Sequence, residues 1–324
     1  MSSFIGRKAE IGVGKETVRG TAVTPSFWLP HVALTFDEQV QQAIDESSVG
    51  VVEDAIDAAV TEKIAVGELE GIMRAESFGM ILLGALGSVV SALKSGETIV
   101  YEHTYSVGQT AQHQSLTVAV KEPNSGKRYA NGMVTDLELA IVLNEYARFT
   151  AALRAKVGVT AALTPAYNTT EQTFLPQHGA FKFAATAAGL DAASAINIRS
   201  FNLTIAKNVE DDQVIGSTDP ADILNKQFAV EGTIELLYGD TTHVDTLLAD
   251  TAKAMRIDLT HTATIGVSSN PKLRVQLNRV KFSEVTKPFA INDLIVQTIS
   301  FKGFYSLADA KMISVVLTNT TASY

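Results

Sequence analysis

Apolar and polar residues alternate along most of this chain, so that every second side chain is hydrophobic over short stretches. In one such stretch the apolar side chains are Phe201, Leu203 and Ile205, and residues 116–120 and 273–277 alternate in the same way. A period of two is typical of strands that bury one face. The pattern therefore predicts a mainly β protein.

Two segments depart from this period and predict one short helix in each half of the chain. Ser77 precedes the apolar run 78–86 as a candidate N-cap, and Gly87 follows it as a terminator. In the second half, a threonine precedes an i, i+3, i+4 stripe formed by Val244, Leu247 and Leu248. Many strands with one packed helix in each half indicate two β-rich domains.

Four segments of the first half return in the same order in the second half. The matching pairs are residues 27–36 with 198–205, 45–50 with 211–216, 63–70 with 227–235, and 150–155 with 298–303. In the first pair, Val32, Leu34 and Phe36 align with Phe201, Leu203 and Ile205. A period of roughly 150 to 170 residues is the size of a whole domain and too long for a solenoid repeat. The sequence therefore predicts a duplicated domain, with an arm at residues 1–25, a first domain at 26–157, a linker at 158–173 and a second domain at 174–324.

Composition narrows the function. The 324 residues are 46% hydrophobic and 19% charged, which is the balance of a folded chain, and there is no cysteine for a disulfide or a thiolate metal site. The net charge of −9, without any lysine- or arginine-rich run, argues against a surface that binds nucleic acid. The N-terminus has no apolar signal segment, and glycines interrupt the longest apolar stretch, residues 78–93. We therefore expect a soluble protein.

The chain has no residue pattern of a known catalytic centre. Its six histidines lack metal-ligand spacing, and no nucleophile elbow is present. Residues 12–17 resemble a phosphate loop, but Ala9 occupies the place of the first glycine and Glu16 follows the lysine. The sequence therefore predicts no enzyme, no metal site and no cofactor.

Pairs of carboxylates occur on the predicted central strand of each half. Glu68 and Glu70 share one strand face, and so do Glu231 and Glu235. A catalytic dyad is one interpretation. A solvated acidic face is the favoured one, because repetition in both halves suits a wall better than an asymmetric active site.

A pattern of short segments spans essentially the whole chain. It comprises residues 5–22, 45–50, 67–71 and 305–311, and is strongest in 189–195 (GLDAASA) and 207–220 (KNVEDDQVIGSTDP). This pattern resembles the tail tube, or major tail, proteins of long-tailed, non-contractile bacteriophages.

The resemblance implies two tandem tail-tube domains, each a β-barrel or β-sandwich with one flanking α-helix. Such subunits form rings that stack into a tube, the conduit for DNA ejection. Rings of this class have six-fold or pseudo-six-fold symmetry, so a duplicated chain implies a homotrimeric, pseudo-hexameric ring, with a homohexamer as the alternative. Other implied partners are the tape measure protein and the tail-tip and terminator proteins. DNA passes through without specific binding, and no membrane is involved. The implied location is the virion tail, assembled in the cytoplasm of the bacterial host.

The resemblance also gives the acidic residues roles. The candidate lumen-lining residues are Glu68, Glu70, Glu231 and Glu235. Two long polar segments in equivalent places, residues 43–62 and 210–225, are expected to reach a neighbouring ring or subunit. Their candidate contact residues are Asp45, Glu46, Gly50, Glu53, Asp54, Asp211, Asp212, Gly216, Asp219 and Asp222.

Two other functions compete with this interpretation. A tube or ring protein of a contractile injection or secretion system has a related fold, but such proteins usually have one domain. A tandem β-sandwich binding module is the second alternative. The low aromatic content, 7%, disfavours sugar-binding platforms.

Overall fold

Antiparallel strands run through the entire chain. The computed structural model describes residues 3–324 and has, within them, twenty strands and two α-helices. The first half contains β1 (Glu10–Lys15), β2 (Phe27–Leu29), β3 (His31–Leu34), β4 (Asp37–Asp45), β5 (Asp57–Ile72), α1 (Phe78–Leu86), β6 (Gly87–Leu93), β7 (Tyr101–Val107), β8 (Leu116–Lys121), β9 (Gly126–Val142), β10 (Arg148–Ala155) and β11 (Gly158–Thr160). The second half contains β12 (Gly179–Ala184), β13 (Ser200–Ala206), β14 (Val209–Asp212), β15 (Asp222–Asn225), β16 (Ala229–Leu237), α2 (Thr242–Leu248), β17 (Lys253–Thr260), β18 (Lys272–Thr286), β19 (Val296–Gly303) and β20 (Ile313–Asn319). The predicted mainly β fold is confirmed, as is one helix in each half.

Helix α1 lies in the hydrophobic core of the first half, with all nine residues buried. It ends as predicted, because Gly87 adopts a left-handed φ of 90° and its N–H donates to the Leu83 carbonyl. Its N-terminus is capped differently from the prediction. The Ser77 side chain makes no cap, and the carboxylate of Glu171 accepts hydrogen bonds from the backbone N–H groups of Glu76 and Ser77.

Helix α2 is shorter and more exposed than α1. Val244 and Leu247 are half-buried, but Leu248 is 78% exposed, so the predicted apolar stripe is wrong at that position. The helix has only seven residues and Leu248 is its last, so this side chain lies at the exposed C-terminus of the helix.

The strands of the two halves pair in the same order. The first half runs β1–β8–β9–β10–β5–β3, and the second runs β12–β17–β18–β19–β16–β13, with every pairing antiparallel. Each run has a β-bulge at the same place, Thr135 in β9 opposite β10 and Ser283 in β18 opposite β19. A second irregularity follows Leu116 in β8 and Lys253 in β17. Bulges are specific features of a fold, so two matches in register are informative.

The strand pairing shifts part of the sequence match. Leu34 is opposite Leu69 in the first half, whereas Phe201 is opposite Ile234 in the second. Leu69 and Ile234 occupy equivalent positions, because each directly precedes the glutamate that lies opposite a threonine of β10 or β19. Their partners, Leu34 and Phe201, are therefore equivalent too. The alignment of Val32 with Phe201 is therefore two residues out of register.

One sheet crosses from the first half to the second. Residues 136–142 of β9 pair with β13, from Asp136 opposite Ala206 to Val142 opposite Ser200. The strand order of this sheet is β3–β5–β10–β9–β13–β16–β19–β18, eight strands in all. We call it the long sheet, and its β9–β13 contact the internal junction.

A second layer backs the long sheet. Its order is β12–β17–β18–β20–β7–β6, so β20 of the second half pairs with β7 of the first. Buried side chains of both halves form one continuous hydrophobic core between the layers, including Leu69, Leu139, Phe201 and Leu317.

The predicted arm and linker are partly built into this fold. Of the arm, residues 10–15 form β1, whose Ile11 and Val13 are fully buried, and residues 1 and 2 lie outside the described residues. The linker 158–173 begins with β11, which pairs with β9. Apolar burial and backbone pairing therefore hold both segments against the first half.

Candidate functional site: an acidic sheet face with two free edges

The six central strands of the long sheet expose one polar face. In β10, Phe149, Ala151, Leu153 and Ala155 are buried while the side chains between them are half-exposed, and the other central strands alternate similarly. The buried set faces the core. The remaining side chains form a continuous surface across both halves, which we call the acidic face.

One row of side chains crosses the acidic face from strand to strand. Neighbouring positions are Glu70, Thr150, Glu138, Thr204, Glu231 and Lys302, on β5, β10, β9, β13, β16 and β19. Successive strands lie about 4.8 Å apart, so a carboxylate recurs about every 10 Å along the row. The alternation of glutamate and threonine keeps like charges off directly opposite positions.

All four predicted lumen-lining residues lie on this face. Glu70 and Glu235 are equivalent, because each is opposite a threonine, Thr150 or Thr298. Glu68 and Glu231 are not a repeated pair, since they correspond to Thr233 and Val66. The face therefore repeats as a surface and not residue by residue.

Two further carboxylates lie between the predicted ones. Asp136 and Glu138 are exposed on β9, opposite Ala152 and Thr150. Sequence reasoning missed them, although Asp136-Leu137-Glu138-Leu139 has the same alternation as the segment around Glu68. They belong to the long strand that joins the halves.

Three cations share the acidic face with six carboxylates. Arg148 binds Glu70 with an Nη1–Oε1 distance of 2.8 Å, and Lys302 binds Glu231 with an Nζ–Oε1 distance of 2.6 Å. Arg154 forms an ion pair with Asp211. Within residues 3–324, no salt bridge involves Glu68, Asp136, Glu138 or Glu235. The face is therefore net negative.

The hairpin of β14 and β15 packs onto the first half of the same chain. Asp222 accepts hydrogen bonds from Arg19 Nε at 2.7 Å, Asn131 Nδ2 at 2.9 Å and Gln112 Nε2 at 3.0 Å. Burial would raise the pKa of Asp222, but the bonds from Asn131 and Arg19 outweigh it and hold the pKa below its ordinary value. Two of the candidate contact residues, Asp211 and Asp222, thus bind within the chain.

The remaining candidates on this hairpin differ in exposure. Asp212 and Gly216 are exposed, and Asp219 is half-buried. Near the hairpin tip, the Thr218 carbonyl accepts a hydrogen bond from the backbone N–H of Lys63 at 2.8 Å. The second hairpin therefore covers the first half, including the base of the other hairpin.

The hairpin of β4 and β5 projects from the sheet. Residues 40–61 are all exposed, and they include Asp45, Glu46, Gly50, Glu53 and Asp54. Several apolar side chains on it are also open to solvent, among them Val40, Ile44 and Val52. Its counterpart in the second half is anchored on the first half. Within residues 3–324, this hairpin bonds to the rest of the chain only at its base, where Lys63 contacts Thr218 and Glu62 contacts Gln213.

The long sheet ends in two free edges. Within the described residues, β3 pairs only with β5, and residues 281–286 of β18 pair only with β19. The equivalent strands β13 and β9 pair with each other at the internal junction. Each free edge therefore corresponds to one side of a contact that the chain already makes.

The histidines and acidic residues of the described chain were also compared with known kinds of site. In residues 3–324, no three histidine, aspartate or glutamate side chains are grouped to hold a metal ion. No helix there combines the length and apolar character that crossing a membrane requires. His103 is buried between Ser91 and Asn319, which occupy both of its ring nitrogens.

Comparison with known proteins agrees with this architecture. A family model described as phage tail tube protein matches residues 6–303. No curated protein matches the chain. Since the match covers nearly all of a β-rich chain with a long polar sheet face, this chain belongs to the phage tail tube protein family and is a structural component of the virion tail.

Proposed function

We propose that three copies of this chain close into a pseudo-hexameric ring, and that stacked rings form the tail tube through which DNA is ejected. The observation that carries the proposal is the internal junction. The chain pairs β9 with β13. It leaves the outer edges of the equivalent strands, β18 and β3, without a partner strand at opposite ends of one sheet. Joining β18 of one copy to β3 of the next repeats a contact already present.

We further propose that the two halves are duplicates of one tube domain. The same strand order and the bulges at Thr135 and Ser283 support this. Two like domains in one chain need three chains to present six. A hexamer of whole chains is the alternative, and it would contain twelve such domains.

Closure through these edges removes every free edge of the long sheet. Three copies of eight strands give 24 strands in one barrel. With strands about 4.8 Å apart and tilted by about 40°, its diameter is about 48 Å between backbones. Side chains reduce this width, and the remaining channel accommodates a DNA duplex. A head-to-tail contact that closes also stops lateral growth.

The acidic face would line this channel. Its carboxylates repel DNA phosphates, which keeps the duplex from sticking to the wall during ejection. The repulsion acts within about 8–10 Å at physiological ionic strength, so it is felt only near the wall. During assembly the tape measure protein would occupy the channel, and tail-tip and terminator proteins would cover its ends. Assembly would take place in the host cytoplasm.

Each hairpin would pack on the half that precedes it in the ring. The β14–β15 hairpin packs on the domain that precedes it in the chain, through Arg19 and Arg154. By the same geometry, the β4–β5 hairpin would pack on the second half of the preceding copy. Its exposed apolar side chains, such as Val40 and Ile44, would be buried there.

Negative-stain electron microscopy of the purified chain, with and without tail-tip complex, tests the proposal. We expect end-on views with three two-lobed subunits around a channel. Six two-lobed subunits would keep the tube and overturn the trimer. A monomer that stays monomeric with the tail-tip complex present would overturn the ring.

A further inference from the structure

An apolar segment of the second half is largely exposed to solvent within residues 3–324. It follows β18, and its side chains Phe289, Ile291 and Leu294 are 70%, 92% and 65% exposed. Large apolar groups clustered in one exposed segment mark an interaction site. The fold described so far does not use them.

The equivalent segment of the first half is packed at the internal junction. The bulges Thr135 and Ser283 set the correspondence at 148 positions, so Phe289 corresponds to Ile141. Ile141 is only 8% exposed and lies opposite Phe201 of β13. It lines a small cavity with Phe181, Ile196 and other residues of the second half.

The first half has a matching groove that no residue of 3–324 fills. It is open, with a volume of about 1470 Å³, and is lined by Phe4, Pro30, Val32, Leu34 and Tyr167, among others. The elements that line it correspond to those around Ile141. In each half a 3₁₀ turn, Gly6–Lys8 or Pro176–His178, and the strand β3 or β13 contribute.

We propose that Phe289 of one copy docks in this groove of the next copy. Residues 284–290 add to the free edge of β3 and the start of β4 as an antiparallel strand, with Phe289 opposite Leu34. The proposal rests on the proposed ring and names the residues that close it. The occupant is a second copy of this chain, because the internal junction seats Ile141 in the equivalent place.

Charge at the two edges is complementary. The inferred register places Val285 opposite Glu38 and Lys287 opposite Phe36, so Glu38 and Lys287 are diagonal neighbours on one face. Long side chains reach across such a diagonal. In the single chain, Lys287 lies over the Tyr238 ring, 4.4 Å from its centroid, and Glu38 binds Lys127.

The segment is not a strand in the single chain for a local reason. Pairing of β18 with β19 stops at Thr286, opposite Thr298. Pro288 follows two residues later, and proline has no N–H to extend that ladder. An edge strand tolerates proline where the missing N–H faces away from its partner. The segment can therefore become a strand by pairing with β3 of another copy.

Paired cysteines test the register directly, because the chain has no cysteine of its own. The inferred register puts Asp37 opposite Thr286, and both are exposed. In assembled tubes, D37C/T286C should form disulfides between chains, giving dimers and trimers on a non-reducing gel. Opposite residues in a sheet are within disulfide range.

Two controls calibrate this result. E138C/T204C joins residues already opposite in one chain and should close within the chain whether or not tubes form. D37C/S283C moves one thiol about 10 Å along the strand and should not crosslink. If the internal pair closes and tubes form but D37C/T286C does not link chains, the docking is wrong and the ring stands. If no tubes form with the tail-tip complex present, both proposals fail.

A side-chain test is independent of the disulfides. F289S should raise the protein concentration needed for assembly at least tenfold, which reflects the lost burial of one aromatic ring. The melting temperature of the free chain should stay unchanged, because Phe289 is exposed there. L307S is the matched control, an exposed apolar residue beyond β19. Equal assembly of F289S and the unsubstituted chain would overturn the docking.

Discussion

At the scale of single residues, the buried carboxyl group of Glu76 makes the stability of the first half depend on pH. It lies at the N-terminus of α1, its Oε2 has no partner within the described residues, and Thr320 Oγ1 donates to Oε1 at 3.3 Å. Burial, together with the nearby Glu171 carboxylate, raises the pKa of Glu76 to about 7. The folded chain therefore holds this proton more tightly than the unfolded chain does.

Substitution of Glu76 should change how stability depends on pH. With an ordinary pKa of 4.5, its contribution is complete below about pH 4.5 and is lost as the pH rises to about 7. E76Q stays neutral, so its free energy of unfolding should match that of the unsubstituted chain at pH 4 and exceed it by about 3 kcal/mol at pH 8. Urea unfolding at several pH values measures the difference.

The exposed E46Q serves as the control for that experiment. Glu46 lies on the β4–β5 hairpin, away from α1. Its variant should follow the unsubstituted chain at every pH. A difference between E76Q and the unsubstituted chain that does not grow with pH would contradict the argument.

Residue-scale features show where the sequence stops being informative. Gly87 ends α1 as predicted, because the requirement for a left-handed residue is local. The cap from Glu171 could not be predicted, since it comes from a residue 94 positions beyond Ser77. Strand β1 was missed because Gly12 and Gly14 break its apolar alternation. A Cβ on Gly12 would lie 2.9 Å from Pro25 Cβ and 3.0 Å from the Trp28 ring, so close packing requires the glycine.

At the scale of elements, the three segments in which alternation was noted are all strands. Those around Leu203 and Val275 bury one face as predicted, whereas β8, around Val118, is buried on both faces from Leu116 to Val120, so the predicted one-sided burial is wrong there. The register between the two halves was less accessible. Bulges and hairpins of different length obscure a weak match, so Val32 was aligned where Leu34 belongs. Four of the six carboxylates on the acidic face were predicted. Asp136 corresponds to Glu284 of β18 and Glu138 to Thr286, and neither match was recognised because the bulges obscure the register.

The β14–β15 hairpin should depend on a single carboxylate. D222N removes the charge that pairs with Arg19, whose side chain is 20% exposed, and weakens three other contacts. We expect a loss of about 2 kcal/mol in the free energy of unfolding, because a partly buried guanidinium is left without its partner. The urea midpoint measures it.

Asp212 on the same hairpin provides a matched comparison. It is exposed, so D212N should change stability by less than about 0.5 kcal/mol. If D222N and D212N behave alike, the Arg19–Asp222 contact does not anchor the hairpin.

At the scale of the whole molecule, the charge of the acidic face governs passage in the proposed tube. Replacing its six carboxylates with amides (E68Q, E70Q, D136N, E138Q, E231Q, E235Q) leaves Arg148, Arg154 and Lys302 on the wall. We expect tubes of normal length and slower DNA ejection, because the wall now attracts phosphates. Time-resolved ejection from phage carrying the variant measures the rate.

A variant that removes three acids elsewhere tests whether loss of charge outside the acidic face also slows ejection. E102Q, E122Q and D240N remove acids from β7, the end of β8 and the start of α2, outside the acidic face. Ejection from this variant should be normal. Unchanged ejection kinetics in the variant with all six substitutions would show that wall charge does not limit the passage of DNA.

The internal junction bears on how assembly begins. The β9–β13 contact forms when one chain folds, so its formation does not depend on protein concentration. In the proposed ring of three, half of the joints would therefore be complete before subunits meet, and tethering within a chain would replace three of six encounters. The rate of ring nucleation then rises with a lower power of concentration than it would for six separate domains. A cell can consequently build such tubes from a smaller pool of free subunits, and each broken ring reopens at three seams only.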